Sequence, residues 1–231
     1  MAIDTNRLRA NLDAVEERIV KACARAGRPR SEVTLVAVTK TVSAEVAALL
    51  PELGVRDLGE SRPQELWRKA EILPKNVRWH FIGHLQRNKI ERTLPFVQMI
   101  HAVDSMRLLQ ALEQEAARQQ RHLSILIEVN ASGEESKHGF PPSDLLELAP
   151  LLCGLKHVQV CGLMSMAPLQ AAEACRPTFA ILRCARDSLQ ARIGGSHSLG
   201  HLSMGMSNDF EIAIEEGATF IRLGTVLFEG I

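Results

Sequence analysis

Short apolar runs alternate with longer amphipathic segments along the whole chain. The starts of these runs lie roughly 20 to 40 residues apart, and most of the segments between them carry a helical pattern. This alternation is typical of a parallel sheet whose strands are joined by crossover helices. The predicted strands cover residues 33–38, 55–58, 77–82, 99–103, 125–129, 158–163, 197–202 and 220–223.

An extra helix is predicted ahead of the first strand. Leu8, Leu12 and Val15 recur at steps of four and three, which places them on one helical face. Gly27 and Pro29 predict the end of this helix. The first residues are partly acidic and contain no continuous apolar block, so we expect neither a secretion signal nor a membrane span.

Eight strand–helix units without a break in composition predict an α/β fold that closes into one (β/α)8 TIM barrel, with residues 1–231 as a single domain. The 231 residues and the 46% hydrophobic content suit one such core. An open doubly wound sheet would show the same local pattern, but neither G-x-G-x-x-G nor G-x-x-x-x-G-K-[ST] is present to favour it. In a barrel, the residues that follow all eight strands converge on one mouth, where we expect a single site.

The balance of charges narrows the class of partner. The chain has 27 Lys plus Arg and 27 Asp plus Glu, so no net field attracts nucleic acid or anionic membranes. The five cysteines are scattered, without a C-x-x-C pair, which favours reduced thiols over disulfides or a zinc site. We therefore expect a cytoplasmic protein.

Lys40 directly follows the apolar run T-L-V-A-V-T. At the rim of a low-dielectric barrel, burial would lower the pKa of its ammonium, and a neutral amine can attack an aldehyde and hold it as an imine. In the alternative interpretation, Lys40 begins the next helix and points into water. Lys89 and Lys137 are rival amines, but they follow polar stretches and are expected to be solvated.

The last two strands are followed by loops rich in glycine and hydroxyl side chains, S-M-G-M-S-N-D at 203–209 and R-L-G-T at 222–225. In this fold, the corresponding loops and a helix N-terminus commonly form a phosphate cup, because free N–H groups point at the anion. Asn208 and Glu211 predict the cap of the helix that follows. In the alternative interpretation, both loops are ordinary turns.

Arg222 lies within an apolar strand, so a guanidinium facing the lumen needs a partner such as a ring nitrogen or a carboxylate. Glu60 is a candidate for a purely structural partner. No metal site is predicted. The histidine pairs His80/His84 and His197/His201 are four residues apart, but on strands that spacing separates them by more than about 10 Å.

Several ordered motifs together resemble the pyridoxal phosphate homeostasis protein family, from about residue 5 to about residue 228. They are V-A-V-T-K, L-G-E-S-R-P-Q-E-L, W-H-F-I-G-H-L-Q-R-N-K, V-N-A-S-G-E-E-S-K-H-G, G-L-M-S-M, L-S-M-G-M-S-N-D-F and I-R-L-G-T-V-L-F. The resemblance implies a barrel like the N-terminal domain of alanine racemase. It also implies that pyridoxal 5′-phosphate (PLP) is held as a Schiff base on Lys40.

The resemblance implies the rest of the PLP site as well. Arg222 would address the pyridine nitrogen, and because it donates without protonating that nitrogen it would leave the ring a weaker electron sink. Asn130, Met164 and Ser165 would line the pocket. The phosphate would be held around Ser203, Gly205, Met206, Gly224 and Thr225.

Two departures from the family pattern stand out. Ser61 occupies the place where the family usually has asparagine, and its shorter side chain is expected to lose one cofactor contact. The chain also ends in L-F-E-G-I, where members commonly have phenylalanine, glycine and a nearby arginine. The exit of the last strand and any contact made by the tail are therefore open. The loop at 134–139 is expected to be exposed and to lie over the mouth.

The resemblance implies a carrier that holds PLP and delivers or buffers it, with PLP-dependent apoenzymes as possible partners, and no catalytic residue is assigned. Racemisation by the alanine racemase route is not expected, because the sequence has no tyrosine and stops after the eighth strand, without a further β domain. One alternative is a slow amino-acid racemase or lyase with His84 or His201 as second base. Another is a phosphate-binding barrel without aldehyde chemistry. A monomer is expected.

Overall fold

Eight parallel strands form a closed barrel in chain order, and the last strand pairs with the first. We describe residues 4–134 and 137–231 of a computed structural model. The predicted α/β barrel is confirmed, with small shifts of the strand ends. The strands are β1 (Thr34–Val38), β2 (Asp57–Glu60), β3 (Arg78–Phe81), β4 (Val97–Val103), β5 (Leu123–Glu128), β6 (Val158–Met164), β7 (His201–Ser203) and β8 (Phe220–Leu223).

Helices surround the barrel and connect its strands. No helix in the described part of the chain has the length and apolarity needed to cross a membrane. The α-helices are α1 (Thr5–Arg25), α2 (Ala44–Glu52), α3 (Pro63–Ile72), α4 (Ile90–Thr93), α5 (Met106–Arg118), α6 (Ala149–Cys153), α7 (Arg176–Ile193) and α8 (Phe210–Glu215). Short 3-10 turns cover Arg30–Glu32, Arg87–Lys89, Pro142–Leu148 and Ala172–Cys175.

The predicted N-terminal helix is confirmed as α1. Asp4 caps it, because its carboxylate accepts a hydrogen bond from the Arg7 N–H at 3.0 Å. The predicted apolar face of α1 is buried, and the helix packs against α8. Arg18 of α1 forms an ion pair with Glu211 of α8 at 3.0 Å, so α1 is anchored beside the loops that follow the last two strands.

The prediction that the seventh strand begins at residue 197 is wrong, since β7 begins at His201. His197 is buried, but its ring bonds outside the barrel ladder, to the Leu152 carbonyl at 2.7 Å and the Val160 N–H at 3.3 Å. The Leu199 N–H likewise donates to the side chain of Gln190 at 2.6 Å. The apolar pattern of this segment therefore reflects burial beneath α6 and α7, and not pairing in the barrel.

The lumen of the barrel contains two kinds of side chain. A small apolar cluster fills part of it and includes Val36, Met99, Leu126, Met164 and Phe220. Buried polar residues pack beside this cluster. In most barrels of this fold, branched apolar residues occupy such interior positions. Among these buried polar residues are Asp57, His80, His101, Ser203 and Arg222.

Candidate functional site

A cavity of about 360 Å³ lies at the carboxyl ends of the strands. This is the end of the barrel where the sequence predicted a single site, and the volume is in the range of small-molecule pockets. Five of the ten residues predicted to bind a cofactor line the cavity: Lys40, Met206, Arg222, Gly224 and Thr225. Five others do not line it: Asn130, Met164, Ser165, Ser203 and Gly205.

Lys40 lies in the turn between β1 and α2, at the edge of the cavity. The expectation that its amine is desolvated is wrong, because Lys40 is exposed while the preceding Thr39 is fully buried. β1 ends at Val38, so the chain has already left the barrel wall when it reaches Lys40. Lys40 thus lines the cavity and is also exposed to solvent.

A buried ion pair supports the exit of β1 from below. Lys69 of α3 is 1% exposed, and its ammonium donates to Glu60 Oε1 and to the Thr39 carbonyl, each at 2.6 Å. The Thr39 hydroxyl donates to the same Glu60 oxygen at 2.8 Å. Sequence reasoning missed Lys69, although its position three residues after the buried Leu66 places it on the buried stripe of α3.

Residues of both predicted phosphate loops line the cavity. Ser207, Asn208, Gly224 and Thr225 line it, and within residues 4–134 and 137–231 their N–H groups have no hydrogen-bond acceptor. Free N–H groups that converge on one space form an anion-binding site. The two loops therefore fit a phosphate group.

The loop after β7 is held in shape by Asp209. Its buried carboxylate accepts from the Met206 N–H at 2.6 Å, and Asp209 is also the N-cap of α8. The prediction that Asn208 caps this helix is wrong, as the helix begins one residue later. Glu211 faces α1 and pairs with Arg18. Burial raises the pKa of Asp209, while the Met206 N–H and Arg222 oppose that rise.

Gly205 shapes the same loop, although it does not line the cavity. Its φ is +96°, and a Cβ there would come within 2.6 Å of Ala213 Cβ in α8. We expect Gly205→Ala to destabilise the protein by more than about 1 kcal/mol, because both the backbone and the helix contact would be strained. Urea denaturation measures this. Gly200→Ala is the control, since a Cβ at Gly200 meets no atom within 4 Å, and an equal loss in both variants would contradict the expectation.

Arg222 is buried and is one of the residues that line the cavity. Nη1 donates to the Ser203 hydroxyl at 2.5 Å, and Nη2 donates to the Ser165 carbonyl at 2.9 Å. Burial lowers the pKa of Arg222 to about 10, which still leaves it a cation at neutral pH. The prediction that Glu60 is the structural partner of Arg222 is wrong, because Glu60 pairs with Lys69.

The other predicted residues lie behind or beside the cavity. Ser203 and Ser165 hold Arg222 from below, and the Ser165 hydroxyl is buried without a partner in the described residues. Met164 is 1% exposed and packs in the lumen. Asn130 organises the loop after β5, where its amide donates to the Glu134 carbonyl at 2.8 Å. Asn130 and Ser165 follow strand ends, as predicted, whereas Met164 and Ser203 are the last residues of β6 and β7, and none of the four lines the cavity.

A chain of hydrogen bonds crosses the lumen below the cavity, and sequence reasoning did not find it. His80 bonds Asp57 at 3.0 Å and His101 at 2.9 Å. His101 then bonds the Ser203 hydroxyl at 2.8 Å, which also accepts from Arg222. Alternation along β3 and β4, which puts His80 and His101 on inward positions, was the available signal.

The charges at the two ends of this chain are opposite. Burial raises the pKa of Asp57, but hydrogen bonds from Arg78 and His80 outweigh burial and bring it to about 2. Burial lowers the pKa of His101 well below its usual value, and the nearby His80, Arg222 and His201 act in the same direction. The chain therefore joins a carboxylate and a guanidinium through a neutral imidazole.

The two histidines considered as second bases lie away from the cavity lining. His84 pairs with Asp104 at 2.6 Å and stacks on His138. His201 begins β7 and bonds the Thr219 hydroxyl at 3.1 Å. Among the described residues, no histidine lines the cavity and no group of His, Cys, Asp or Glu has the arrangement of a metal site.

The loop expected over the mouth is described only in part, since Glu135 and Ser136 lie outside the described residues. Lys137 is half-buried, and its ammonium donates to the Met166 carbonyl at 3.2 Å. The expectation that Lys137 is solvated is therefore wrong. Met166 itself lines the cavity, so this contact places the loop at the cavity edge.

Both departures from the family pattern have a defined place. Ser61 lines the cavity. The tail folds back on α1, where the Asn11 amide donates to the Leu227 carbonyl at 2.9 Å and to the Glu229 carbonyl at 3.0 Å. Arg7 donates to the same Glu229 carbonyl at 3.3 Å. The contact made by the tail is thus with the N-terminal helix.

Known proteins share both the sequence and the fold of this chain. The family model described as alanine racemase, N-terminal domain, matches residues 3–230. A relative from Aquifex aeolicus named pyridoxal phosphate homeostasis protein is 44% identical over 219 residues, which cover 94% of this chain and 95% of the relative.

Two solved structures extend this likeness to three dimensions. A protein from Bifidobacterium adolescentis, described as unknown, matches with a TM-score of 0.91 and 34% identity. The match covers 99% of this chain and 98% of the Bifidobacterium chain. PipY of Synechococcus elongatus, solved with PLP bound, matches with a TM-score of 0.80 and 35% identity. The match covers 93% of this chain and 99% of the PipY chain.

Proposed function

Because this chain belongs to the pyridoxal phosphate homeostasis protein family and has its alanine racemase N-terminal fold, we propose that it holds PLP as a Schiff base on Lys40. It would buffer PLP and deliver it to PLP-dependent apoenzymes. Bound PLP supplies an aldehyde that a lysine amine can hold covalently. The curated relatives are named for PLP homeostasis and not for a reaction, which supports a carrier.

One observation carries this proposal: a single cavity joins a primary amine to two anion-binding loops. Lys40 lies at one edge, and the same space is lined by Ser207, Asn208, Gly224 and Thr225, whose N–H groups have no acceptor among the described residues. A molecule that has both an aldehyde and a phosphate can occupy both ends at once. A phosphate-binding barrel without aldehyde chemistry would not need the amine.

The position and charge of Arg222 favour a protein that holds PLP over an enzyme that uses PLP in catalysis. Arg222 lines the cavity and its guanidinium remains charged, so it can donate to the pyridine nitrogen but cannot give up its proton there. A pyridine ring that stays unprotonated withdraws electrons weakly. This favours the carrier over the alternative of a slow racemase or lyase, for which neither His84 nor His201 is placed at the cavity.

Borohydride trapping tests the proposal. The protein is incubated with PLP, reduced, digested and analysed by mass spectrometry, and the reduced adduct is expected on the peptide that contains Lys40. An adduct only on other lysines, or none, would contradict the proposal. Incubation with alanine in deuterated water separates carrier from enzyme, because only carbanion chemistry exchanges the α-proton.

The phosphate loops predict a preference for PLP over pyridoxal, which lacks the phosphate. Each hydrogen bond to a charged group contributes about 1.5–3 kcal/mol, so loss of two bonds predicts at least about 100-fold weaker binding of pyridoxal. Equilibrium titration by absorbance measures this ratio. Inorganic phosphate should compete with PLP but not with pyridoxal, and equal affinity for the two aldehydes would rule out the phosphate cup.

We also propose that the protein works as a monomer in the cytoplasm. The balanced charge and the scattered free cysteines support a cytoplasmic location. Light scattering coupled to size-exclusion chromatography tests the oligomeric state, and a mass of two chains with or without PLP would contradict a monomer.

A further inference from the structure

The hydrogen-bonded chain in the barrel lumen has a defined direction. The Asp57 carboxylate can only accept, so His80 Nε2 donates to it at 3.0 Å. At the other end Arg222 can only donate, so the Ser203 oxygen accepts from it and the Ser203 hydrogen is left for His101 Nδ1, at 2.8 Å. The hydrogen of His101 then lies on Nε2, which donates to His80 Nδ1 at 2.9 Å.

The opposite direction of donation would leave the Ser203 hydrogen without an acceptor among the described residues. If His101 carried its proton on Nδ1, it would donate to Ser203, and the Ser203 hydrogen would need another acceptor. His101 is fully buried, and burial lowers its pKa well below the usual value, so it cannot donate from both nitrogens. The two charged ends therefore select one arrangement of hydrogens, in which every link has a donor and an acceptor.

This arrangement fixes the guanidinium. Arg222 has two acceptors below it, the Ser203 hydroxyl and the Ser165 carbonyl, and these define the plane of the group. Its remaining N–H groups are free to face the cavity that Arg222 lines. With its hydrogen directed to His101, the Ser203 hydroxyl is held in one orientation, and a lone pair of its oxygen accepts from Arg222.

We propose that Asp57, His80 and His101 are positioning residues that hold Ser203 as an acceptor and thereby aim Arg222 at the ring nitrogen of bound PLP. This inference rests on the proposed function. None of the three residues lines the cavity. They act on the cofactor through the chain alone, across the width of the barrel from β2 to β8.

Other polar groups near the chain are not links in it. His201 faces the same Phe220 ring as His80 and His101, with ring centroids 4.8 Å apart, but it bonds Thr219. Arg78 pairs with Asp57 at the far end and is half-exposed. Glu128 and Asp209 act on Arg222 through their charge only. His201 is therefore a matched control, a lumen histidine outside the chain.

The first experiment needs no cofactor. Nitrogen-15 NMR of histidine-labelled protein without PLP reports which ring nitrogen carries hydrogen. We expect His80 and His101 both to be protonated at Nε2 and unprotonated at Nδ1. A proton on Nδ1 of either ring would overturn the proposed direction. Because this measurement does not involve PLP, its outcome is separate from success or failure of the proposed function.

The second experiment measures the effect on PLP. His101→Phe removes both links, and we expect about tenfold weaker PLP binding together with a shifted absorbance maximum of bound PLP. His101→Asn keeps an acceptor at the position of Nδ1 and should restore most of both properties. His201→Phe should change neither. Equal behaviour of His101→Phe and His201→Phe would overturn the proposal, and if His101→Phe does not fold, the NMR experiment still decides it.

Discussion

Lys40→Ala is expected to abolish covalent capture of PLP. The amine at the cavity edge is the proposed nucleophile, and alanine leaves the phosphate loops intact but removes the group that attacks the aldehyde. We expect no borohydride-trapped adduct on the peptide and loss of the absorbance band near the visible edge. PLP should still bind weakly and reversibly through its phosphate, which equilibrium dialysis measures.

Lys137→Ala and Lys89→Ala are the matched controls for this prediction. Lys137 is the rival amine with a contact at the cavity edge, through the Met166 carbonyl. Both variants should keep the adduct on Lys40 and the absorbance band. A full-strength band in Lys40→Ala, or its loss in Lys137→Ala alone, would reject Lys40 as the anchor.

Lys69→Met is expected to destabilise the protein by about 3–5 kcal/mol, because it leaves the Glu60 carboxylate buried without its cation. Both side chains are almost fully buried, at 1% and 0% exposed, so water cannot replace the lost partner. Methionine has a similar length, which limits the loss of packing. The free energy of unfolding from urea denaturation measures the effect.

Lys21→Met is the control for the loss of a lysine. Lys21 pairs with Glu17 on the surface of α1, where both side chains are more than half exposed, and we expect a cost of at most about 0.5 kcal/mol. Adding Glu60→Gln to Lys69→Met should recover part of the stability by removing the unpaired charge. A double variant less stable than Lys69→Met would contradict this explanation.

The barrel could be predicted because each strand leaves a strong local pattern. Runs such as the one that ends at Val38 are apolar on both faces, as a sheet covered by helices requires. β7 shows the limit. His197 and Leu199 are as buried as strand residues, but their partners lie in α6, β6 and α7, and an apolar pattern does not identify the partner.

The site could be located but not fully assembled from sequence. Residues after strands must meet at one end, and Lys40, Gly224 and Thr225 do so. The direction of a side chain depends on contacts between distant residues, which is why Asn130 was assigned to the cavity but bonds its own loop. The buried Lys69 was missed although its partner Glu60 ends the preceding strand, because the sequence pattern does not show that the two side chains turn towards each other.

Solvent contact at Lys40 has a consequence for the lifetime of any covalent bond formed there. Water and dissolved amines can reach the linkage directly, so hydrolysis and amine exchange compete with retention by the phosphate loops. The residence time of PLP on Lys40 would then depend on the concentration of nucleophiles in solution. A change in the amino-acid concentration would change the fraction of the protein that has PLP bound.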